Sequence, residues 1–508
     1  MPKGWGAVFV DRTAGKGRVS ERAKPSKSSL AGARFAAAFV AAFALFAAPT
    51  ARAETAAPAP ANGTPAPVES APGSLLTRDT LLGGMGGLRP FLEKYGISLD
   101  LSETSEVWAN LSGGLRRGVR YDGLFVMTLS LDTRKAFGWA GGRFYASGLE
   151  IHGRQISAES LGVLQPVSGI EANRAARLWQ LWYRQSFWGG RADVKLGEES
   201  VDTEFLVSRY ALTFLNQMMG WPLVPSADLY AGGPAYPLSS LGIRLRLRAS
   251  GALTALAGVF DDNPPGGPFA NDSELRDGEA SGTLFNLGTG ALSIGELQYA
   301  ANSAPGKSCR TLFCGLPGTY KIGAFFDTAP FPDQRFASDG LSLANPLSNG
   351  VPRSDRGNWS LYAVLDQRIW REGPQSPRSL NFFLRPMGAP GDRNLVSFSV
   401  NAGLSLRAPF ASRPGDSFGV GVNWGHVGSG ASGLDRDEAF FSGNTLAPVR
   451  SSETAIEVTY VAEIAPWWQI QPDFQYFFRP GGGIPNPSNP AERIGNEAVV
   501  GLRTVIAF

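Results

Sequence analysis

Hydrophobic and polar residues alternate at every second position along most of the chain from Ile97 onward. In the segment 453–464, for example, Ile456, Val458 and Tyr460 alternate with Glu457 and Thr459. Because successive side chains of a β-strand point to opposite faces, each such stretch has one apolar and one largely polar face. A soluble β-sandwich would show the same alternation with its apolar faces turned inward. The pattern therefore predicts an all-β protein and leaves open whether the apolar faces meet a core or a lipid bilayer.

The lengths of the predicted strands favour the bilayer. A strand needs about 9–11 residues to cross a membrane, whereas strands of globular proteins average about 5–6 residues. The alternation predicts about sixteen strands, many of them 10–13 residues long, at 97–109, 119–134, 142–152, 175–187, 190–198, 241–249, 252–260, 291–302, 317–328, 357–370, 379–388, 394–407, 416–427, 452–464, 467–479 and 496–508.

The connections between these strands also alternate, between tight turns and long loops rich in Gly, Pro, Asp and Asn. Short periplasmic turns alternating with long external loops are typical of a transmembrane antiparallel β-barrel. The predicted fold is such a barrel of about 16 strands over residues 86–508, with long external loops folding into its lumen. A short N-terminal periplasmic helix or plug is predicted at Gly87–Tyr95, where Leu88, Phe91 and Leu92 share one helical face.

Two segments before the barrel are predicted to have other roles. Residues 1–53 combine scattered basic residues, an apolar run from Phe35 to Ala48 and the small-residue pattern Ala51–Ala53, which is typical of a cleaved secretory signal peptide. A retained membrane anchor is the alternative. Residues 54–85 form an Ala/Pro-rich stretch that reads as a flexible periplasmic linker.

Removal of the signal peptide changes the charge of the chain. Residues 1–53 hold 9 of the 47 Lys and Arg and 2 of the 44 Asp and Glu, so the mature chain has 38 basic and 42 acidic residues. A nucleic-acid-binding protein should keep a basic patch after processing, and none is expected here. The mature chain also has no apolar stretch of about 18 residues, which excludes a helical membrane protein.

Residues with catalytic or metal-binding chemistry are few. The two histidines, His152 and His426, have no metal-ligand spacing around them, and there is no G-x-S-x-G turn. We expect no catalytic residues, no metal and no cofactor. Cys309 and Cys314 lie in a Gly- and Pro-containing turn and are predicted to form a disulfide in an exported protein, a metal pair being the less favoured alternative.

Charged and polar residues on the strands are the candidates for the pore lining. In 241–248, Ile243, Leu245 and Leu247 alternate with three arginines, and an arginine facing lipid near the midplane would cost about 2–4 kcal/mol. The arginines are therefore expected to face the lumen. The same reasoning turns Trp179, Leu181 and Tyr183 outward. The strand residues predicted to line the pore are Glu150, Gln180, Trp182, Arg184, Arg244, Arg246, Arg248 and Asp473.

The segment 199–240 is the candidate for a constriction, because it is longer than a turn needs and combines aromatic with charged residues. Folding into the barrel explains such a loop better than exposure to solvent. Aromatic faces pack on the C–H faces of sugars while charged groups bond their hydroxyls. The alternative is a loop packed for stability alone. Its predicted solute-contacting residues are Glu199, Asp202, Glu204, Arg209 and Asn216.

Several stretches resemble the carbohydrate-selective porin family of Gram-negative outer membranes. They are Glu106–Gly118 with Tyr121–Gly123, Gly148–Gly153, Arg177–Tyr183, Gly315–Tyr320 and Pro472–Gly482. The resemblance implies a sixteen-stranded barrel whose inward-folded loops narrow a pore for glucose-like sugars. The long basic leader and the Cys309–Cys314 turn depart from the usual pattern of the family.

The predicted function is therefore an outer-membrane porin that passes small solutes, preferentially sugars, by passive diffusion. The expected partners are sugars, outer-membrane lipid and lipopolysaccharide, and a second and third copy in a homotrimer. The terminal Phe508 resembles the signal that barrel-assembly machinery recognises. Two alternatives from other classes are a barrel hydrolase of the lipase or phospholipase type, with a histidine beside a serine and an acid, and a non-conducting structural barrel.

Overall fold

A computed structural model describes residues 75–266, 280–301 and 315–508, and over these residues the predicted barrel is confirmed. Sixteen strands close into one antiparallel barrel, in which the first and the last barrel strands are hydrogen-bonded to each other. The barrel strands are β1 Ile97–Ser112, β2 Gly118–Asp132, β3 Gly142–Gly153, β4 Ala175–Phe187, β5 Ala192–Glu199, β6 Ser240–Arg248, β7 Leu253–Asp261, β8 Ala291–Ala301, β9 Gly318–Ala337, β10 Pro352–Arg371, β11 Ser379–Gly388, β12 Val396–Arg407, β13 Ser417–Val427, β14 Ser452–Ala465, β15 Trp468–Phe478 and β18 Glu497–Ala507.

The remaining elements lie in the connections. A two-stranded hairpin, β16 Pro485–Asn486 and β17 Asn489–Arg493, lies in the loop before β18. No helix among the described residues is long and apolar enough to cross a membrane. The α-helices within the described residues are α1 Leu88–Lys94, α2 Thr133–Phe137, α3 Gln217–Gly220, α4 Leu223–Asp228 and α5 Ser429–Ser442.

Alternation separates the two faces of the wall as the sequence predicts. On β6, the outward side chains of Ile243, Leu245 and Leu247 are 45%, 51% and 47% exposed, whereas Arg244 between them is 1% exposed. Directly paired residues of neighbouring strands share a face, so this assignment carries over from strand to strand. The apolar residues form the outer surface, and the charges on β6 lie on the inner wall.

The interior of the barrel is partly filled by the connection between β5 and β6, which we call the 200–239 loop. Its apolar side chains form a core with the inner faces of strands from β7 to β13. Burial of this apolar surface is worth roughly 25 cal/mol per Å² and holds the loop inside the barrel. The residues of this internal core include Val201, Phe205, Leu206, Met218, Trp221, Leu223, Val224 and Leu229 of the loop and Leu256, Phe260, Ile294, Phe325, Tyr362, Val364 and Met387 of the wall.

The N-terminal helix lies at the end of the barrel where the chain terminates. Arg89 of α1 donates hydrogen bonds to the carbonyls of Leu99 and Phe508, the first at 3.1 Å. Trp467 Nε1 donates to the carbonyl of Leu75 at 2.7 Å. These contacts join the start of the described chain to the end of β18. The predicted signal peptide, most of the linker and the Cys309–Cys314 pair lie outside the described residues.

Candidate pore constriction

Carboxylates on the inner wall hold the backbone of the 200–239 loop. Glu296 accepts from the backbone N–H of Leu206 at 2.9 Å, and Asp366 accepts from that of Arg209 at 2.7 Å. Further round the barrel, Glu457 of β14 accepts from the N–H of Leu215 at 2.5 Å. A buried backbone N–H without an acceptor would cost about 1–3 kcal/mol, so three buried acidic side chains on separate strands fix the path of the loop.

Arg385 of β11 holds the carbonyl groups of the same loop. Its guanidinium is fully buried and donates to the carbonyls of Leu206 at 2.8 Å, Met218 at 2.6 Å, Met219 at 3.0 Å and Gly220 at 3.0 Å. Nε donates to the side chain of Asn401 at 3.1 Å. The five N–H groups of an arginine suit such a cluster of acceptors, so Arg385 joins the loop to the wall.

A second inward-folded connection, the 154–174 loop, packs beside the first. Glu453 of β14 accepts from the N–H groups of Leu164 and Gln165 at 2.8 and 2.9 Å. Within the loop, Glu171 accepts from the N–H of Ile156 at 2.6 Å. Burial raises the pKa of Glu171 to about 7, although these backbone donors oppose the shift. Two loops, each held through its backbone, therefore narrow the described lumen.

A row of basic residues crosses four neighbouring strands on the inner wall. Arg143 pairs with Arg184, Arg184 with Lys195, and Lys195 with Arg244, so the four side chains share one face. Asp193 of β5 lies beside the row and binds both Arg244 and Arg246, the latter at 2.5 Å. The strands β3 to β6 thus present a basic surface with one carboxylate built into it.

The 200–239 loop adds a second carboxylate to this basic surface. Glu204 lies 2.7 Å from Arg244 Nε and 2.5 Å from Lys195 Nζ, and Glu199 at the end of β5 lies 2.9 Å from Lys195. Burial raises the pKa of Glu204, but the charges of Lys195 and Arg244 outweigh it, so the pKa lies below the usual value. Asp202 instead organises the loop, accepting from the Tyr236 N–H at 3.1 Å, and burial raises its pKa.

An aromatic pair lies next to the basic row. The rings of Tyr145 and Trp182 stack with centroids 4.6 Å apart and an interplanar angle of 7°. Lys195 Nζ lies 5.0 Å from the Trp182 ring centroid, a distance at which a cation is attracted to the ring face. Tyr145 and Trp182 are directly paired on β3 and β4 and face the same side as Arg143 and Arg184.

A cavity between the two loops lies at the start of β4, on the side of the external loops. Its lining includes Arg174, Trp221 and Tyr236, with the amide of Gln217 and the carboxyl of Glu171. The indole of Trp221 donates to the carbonyl of Gly232 at 2.9 Å, and the Tyr236 hydroxyl donates to that of Ile170 at 2.8 Å. These bonds orient both aromatic side chains at the cavity.

The residues expected to line the pore divide into two groups by burial. Those with exposed side-chain surface are Trp182, Arg184, Asp202, Glu204, Arg209, Arg246 and Arg248, with Arg248 at the end of β6 away from the 200–239 loop. Asn216 is 1% exposed and bonds Gln475 and Asn423, so it fixes the loop to the wall. The buried set is Gln180, Glu199, Asn216, Arg244 and Asp473.

The prediction that Glu150 faces the lumen is wrong. Glu150 pairs with Phe125 and lies on the outer wall, where its carboxylate is 2.8 Å from His152 Nδ1. Its neighbours Leu149 and Ile151 face inward and pack against Ile170 of the 154–174 loop. Apolar residues therefore mark the inner face here, because a folded loop covers them. The expectation that apolar strand residues face lipid assigns this part of β3 to the wrong face.

The prediction that Trp179 faces outward is also wrong. The register of β3 and β4 shifts between Ser147 and Gly148, which leaves Trp179 opposite the irregularity. Its indole donates to the carbonyl of Leu238 at 3.3 Å and packs against Tyr236 of the 200–239 loop. A β-bulge places one extra residue in a strand and changes the direction of its side chain, and strict alternation does not reveal it.

Several residues of the constriction were missed by the sequence-based reasoning. Tyr145 could have been predicted as an inner-wall residue, because Arg143, Tyr145 and Ser147 alternate with Phe144 and Ala146. Single charges between apolar neighbours could also have been read as inner-wall residues. They include Asp193, Lys195, Glu296 and Arg385, whereas Asp366 and Glu453 have polar neighbours and gave no such signal.

Comparison with known proteins gives a consistent assignment. Residues 116–508 match the family described as "Carbohydrate-selective porin, OprB family". Porin B of Pseudomonas aeruginosa is 24% identical over 444 residues, which cover 84% of this chain and 91% of the relative. The putative porin QuiX of Acinetobacter baylyi is 25% identical over 426 residues, covering 80% and 89%.

A solved structure shows the same fold. The high-pH structure of Pseudomonas putida OprB superposes with a TM-score of 0.74 at 24% identity, over 86% of this chain and 100% of that one. The family match extends over most of the chain and includes fifteen of the sixteen barrel strands, from β2 to β18. This chain belongs to the OprB family of carbohydrate-selective porins.

Proposed function

We propose that the barrel carries small neutral carbohydrates across the outer membrane by passive diffusion, and that the inner wall of β3 to β6 selects them. The observation that carries this proposal is the stacked pair Tyr145 and Trp182 beside the partly exposed Arg184 and Arg246. Family membership makes the chain a channel of the outer membrane. The sugar-contacting residues are our own assignment.

The chemistry of this wall suits a polyol. Lys195 covers one face of Trp182 and Tyr145 the other, so a sugar would pack its C–H face on the free side of Tyr145. Guanidinium groups of Arg184 and Arg246 would donate to the hydroxyls. Asp193 and Glu204 offset part of the positive charge, which favours a neutral solute over a simple anion.

A solute that enters from outside would reach the cavity between the loops before it reaches this wall. Trp221 and Tyr236 offer aromatic surface there, while Arg174 and Gln217 offer hydrogen-bond donors. A solute entering from the external side would first lose part of its hydration shell at this cavity. It would then move along the aromatic and basic surface of β3 to β6.

We also infer how the chain reaches the membrane. Residues 1–53 would direct export and be cleaved near Ala53, and residues 54–85 would serve as a periplasmic linker. The terminal Phe508 would be read by barrel-assembly machinery, and the apolar outer wall would contact lipid and lipopolysaccharide. Three copies would associate as a trimer, which cross-linking in native membranes would test.

The sugar preference is tested by swelling of liposomes that contain the purified protein. The wild type should swell faster in a hexose than in an amino acid of similar size, and Tyr145→Ala should reduce that difference. Tyr299, which is 50% exposed on the outer face of β8, supplies the matched control Tyr299→Ala, which should keep it.

Three results would contradict the proposal. Equal swelling rates of the wild type in the sugar and the amino acid would remove the selectivity. Absence of single-channel conductance in planar bilayers would remove the channel itself and favour a plugged barrel. A Tyr145→Ala variant that keeps the wild-type preference would show that the selecting surface does not lie on β3 and β4.

A further inference from the structure

Two aspartates at the end of β7, Asp261 and Asp262, lie close to Asp327 in the middle of β9. Asp261 and Asp262 are 2% and 0% exposed, and Asp327 of β9 is 0% exposed. The carboxyls of Asp262 and Asp327 contact each other. Among the described residues, no Lys, Arg or His forms an ion pair with any of the three, so the negative charge is uncompensated within that part of the chain.

Part of this cluster is satisfied by local hydrogen bonds. Asp261 accepts from the Asn263 N–H at 3.1 Å and from the Asn286 amide at 2.9 Å. Asp262 Oδ1 accepts from the Thr289 hydroxyl at 2.7 Å, and Asp327 Oδ1 accepts from the Ala329 N–H at 2.8 Å. One oxygen of each carboxylate is therefore fixed, and the side chains cannot turn away from each other without losing these bonds.

The remaining oxygens are buried without a hydrogen-bond donor. They are Asp262 Oδ2, Asp327 Oδ2 and Asn263 Oδ1, and Asn263 is 0% exposed. A buried acceptor left unsatisfied costs about 1–3 kcal/mol, and more when it is charged. The carboxyls of Asp262 and Asp327 contact each other across two chain segments, so one bound cation would satisfy both free carboxylate oxygens.

A glycine keeps open the space beside one of these oxygens, Asp262 Oδ2. A Cβ atom on Gly290 would lie 2.4 Å from Asp262 Oδ2 and 3.2 Å from the hydroxyl oxygen of Thr328. Both oxygens therefore border the position that a larger side chain would fill. The Thr328 hydroxyl oxygen accepts from the Ala291 N–H at 2.9 Å, which fixes its place at this border.

We propose that Asp262 and Asp327 bind one calcium ion beside Gly290, with Asn263 Oδ1 as a further ligand. All the donors are oxygens, which hard divalent cations prefer, and Ca²⁺ accepts irregular sets of carboxylate, amide and hydroxyl oxygens. Mg²⁺ demands near-ideal octahedral geometry and keeps several waters, which a buried site bordered by backbone provides poorly. The ion would tie the end of β7 to β9.

The test uses the full mature barrel, refolded in lipopolysaccharide-free detergent and treated with EDTA. Equilibrium dialysis with radioactive calcium should give one bound ion per chain, retained in a tenfold excess of Mg²⁺. Saturating Ca²⁺ should raise the thermal unfolding midpoint by about 5 °C. Asp327→Asn should lose the bound ion and the calcium-dependent rise, while its EDTA-treated form should unfold at a higher temperature than the EDTA-treated wild type, because one repulsive charge is gone.

Two further variants keep the result interpretable. Gly290→Ala should fill the space and abolish binding without changing any charge. Asp339→Asn alters an exposed carboxylate in the loop between β9 and β10 and should leave binding intact. If Asp327→Asn does not fold, Gly290→Ala and the wild-type stoichiometry decide the question.

A wild type that binds no calcium, and whose stability in EDTA rises as the pH falls, would overturn the proposal. That outcome would mean that Asp262 and Asp327 share a proton rather than a metal ion. Loss of sugar preference in Tyr145→Ala bears on the pore wall alone, so the two proposals fail independently.

Discussion

Two arginines of the inner wall, Arg385 on β11 and Arg246 on β6, show how one residue type on one face takes different roles. Arg385 is completely buried and donates to four loop carbonyls. Arg246 keeps 24% of its side-chain surface exposed and binds a single carboxylate, Asp193, at 2.5 Å. Both arginines alternate with apolar residues that face outward.

The difference comes from what lies opposite each wall. Apolar side chains of the 200–239 loop pack over β7 to β13, and the buried carbonyls of the loop need donors, which Arg385 supplies. Over β4 to β6 the loop contributes the carboxylate of Glu204, and part of the basic surface remains open. Strand alternation therefore tells which face a residue occupies, while the folded loop decides whether it supports the constriction or meets the solute.

Replacement of Arg385 should have the largest effect. Arg385→Met would leave the carbonyls of Leu206, Met218, Met219 and Gly220 without their donor, at a cost of about 3 kcal/mol or more in unfolding free energy. The 200–239 loop should detach from the wall. Single-channel recordings should show a larger and noisier conductance, together with a lower thermal midpoint.

The matched control for that experiment is Arg246→Met, on the other side of the comparison. It removes the same group from the same face and should leave the thermal midpoint within a few degrees of wild type. Equal destabilisation by the two substitutions would show that the difference in burial does not separate their roles.

Glu204 connects the loop to the basic wall, and its replacement should have the next largest effect. Glu204→Gln removes the charge beside Lys195 and Arg244, so the anion-to-cation permeability ratio should rise about two- to fivefold. Reversal potentials in a salt gradient measure this ratio. Unchanged reversal potentials would mean that ions do not pass this carboxylate.

The same carboxylate gives a pH dependence with a definite sign. The pKa of Glu204 is lowered because the attraction of Lys195 and Arg244 outweighs burial. Its charge therefore persists as the pH falls through the usual glutamate range, near about 4.3, and is lost only below it. The wild-type permeability ratio should stay constant down to that pH and then move toward that of Glu204→Gln. A change beginning near neutral pH would contradict this assignment.

Removal of the partly open arginine should have a moderate effect on sugars. Arg246→Gln shortens the side chain and loses a charged donor, so we expect hexose swelling rates to fall about two- to fivefold. Arg248→Gln, at the end of the same strand, is the matched control and should change them little. A similar fall in both variants would indicate a general charge effect.

The smallest effect is expected on the outer wall. Glu150→Gln keeps the size of a side chain that faces away from the lumen and bonds His152, so sugar flux and conductance should remain at wild-type values. The unfolding free energy should change by about 0.5 kcal/mol or less. Altered ion selectivity in this variant would indicate that Glu150 faces the pore.

Much of the barrel could be predicted from the sequence because its physical rules are local. The period-two pattern, strand length and alternation of short and long connections require no knowledge of distant contacts. These rules predicted β4 and β11 with the bounds that the structure shows, and they assigned Ile243, Arg244 and Leu245 to the correct faces. The apolar and charged content of 199–240 likewise predicted that this loop folds inward.

Only the tertiary structure decided which inner-wall residues are covered. Asn216 and Arg244 read as pore residues but are buried by loop-to-wall bonds, and Arg385 acts through carbonyls more than 160 positions away in the chain. On β3, the inward loop turns Leu149 into a core residue and puts Glu150 on the outside. The sequence by itself determined a barrel with two chemically distinct faces, since alternation is a property of each strand. Which part of the inner face stays open depends on how separate loops pack against it, and that is a property of the whole fold.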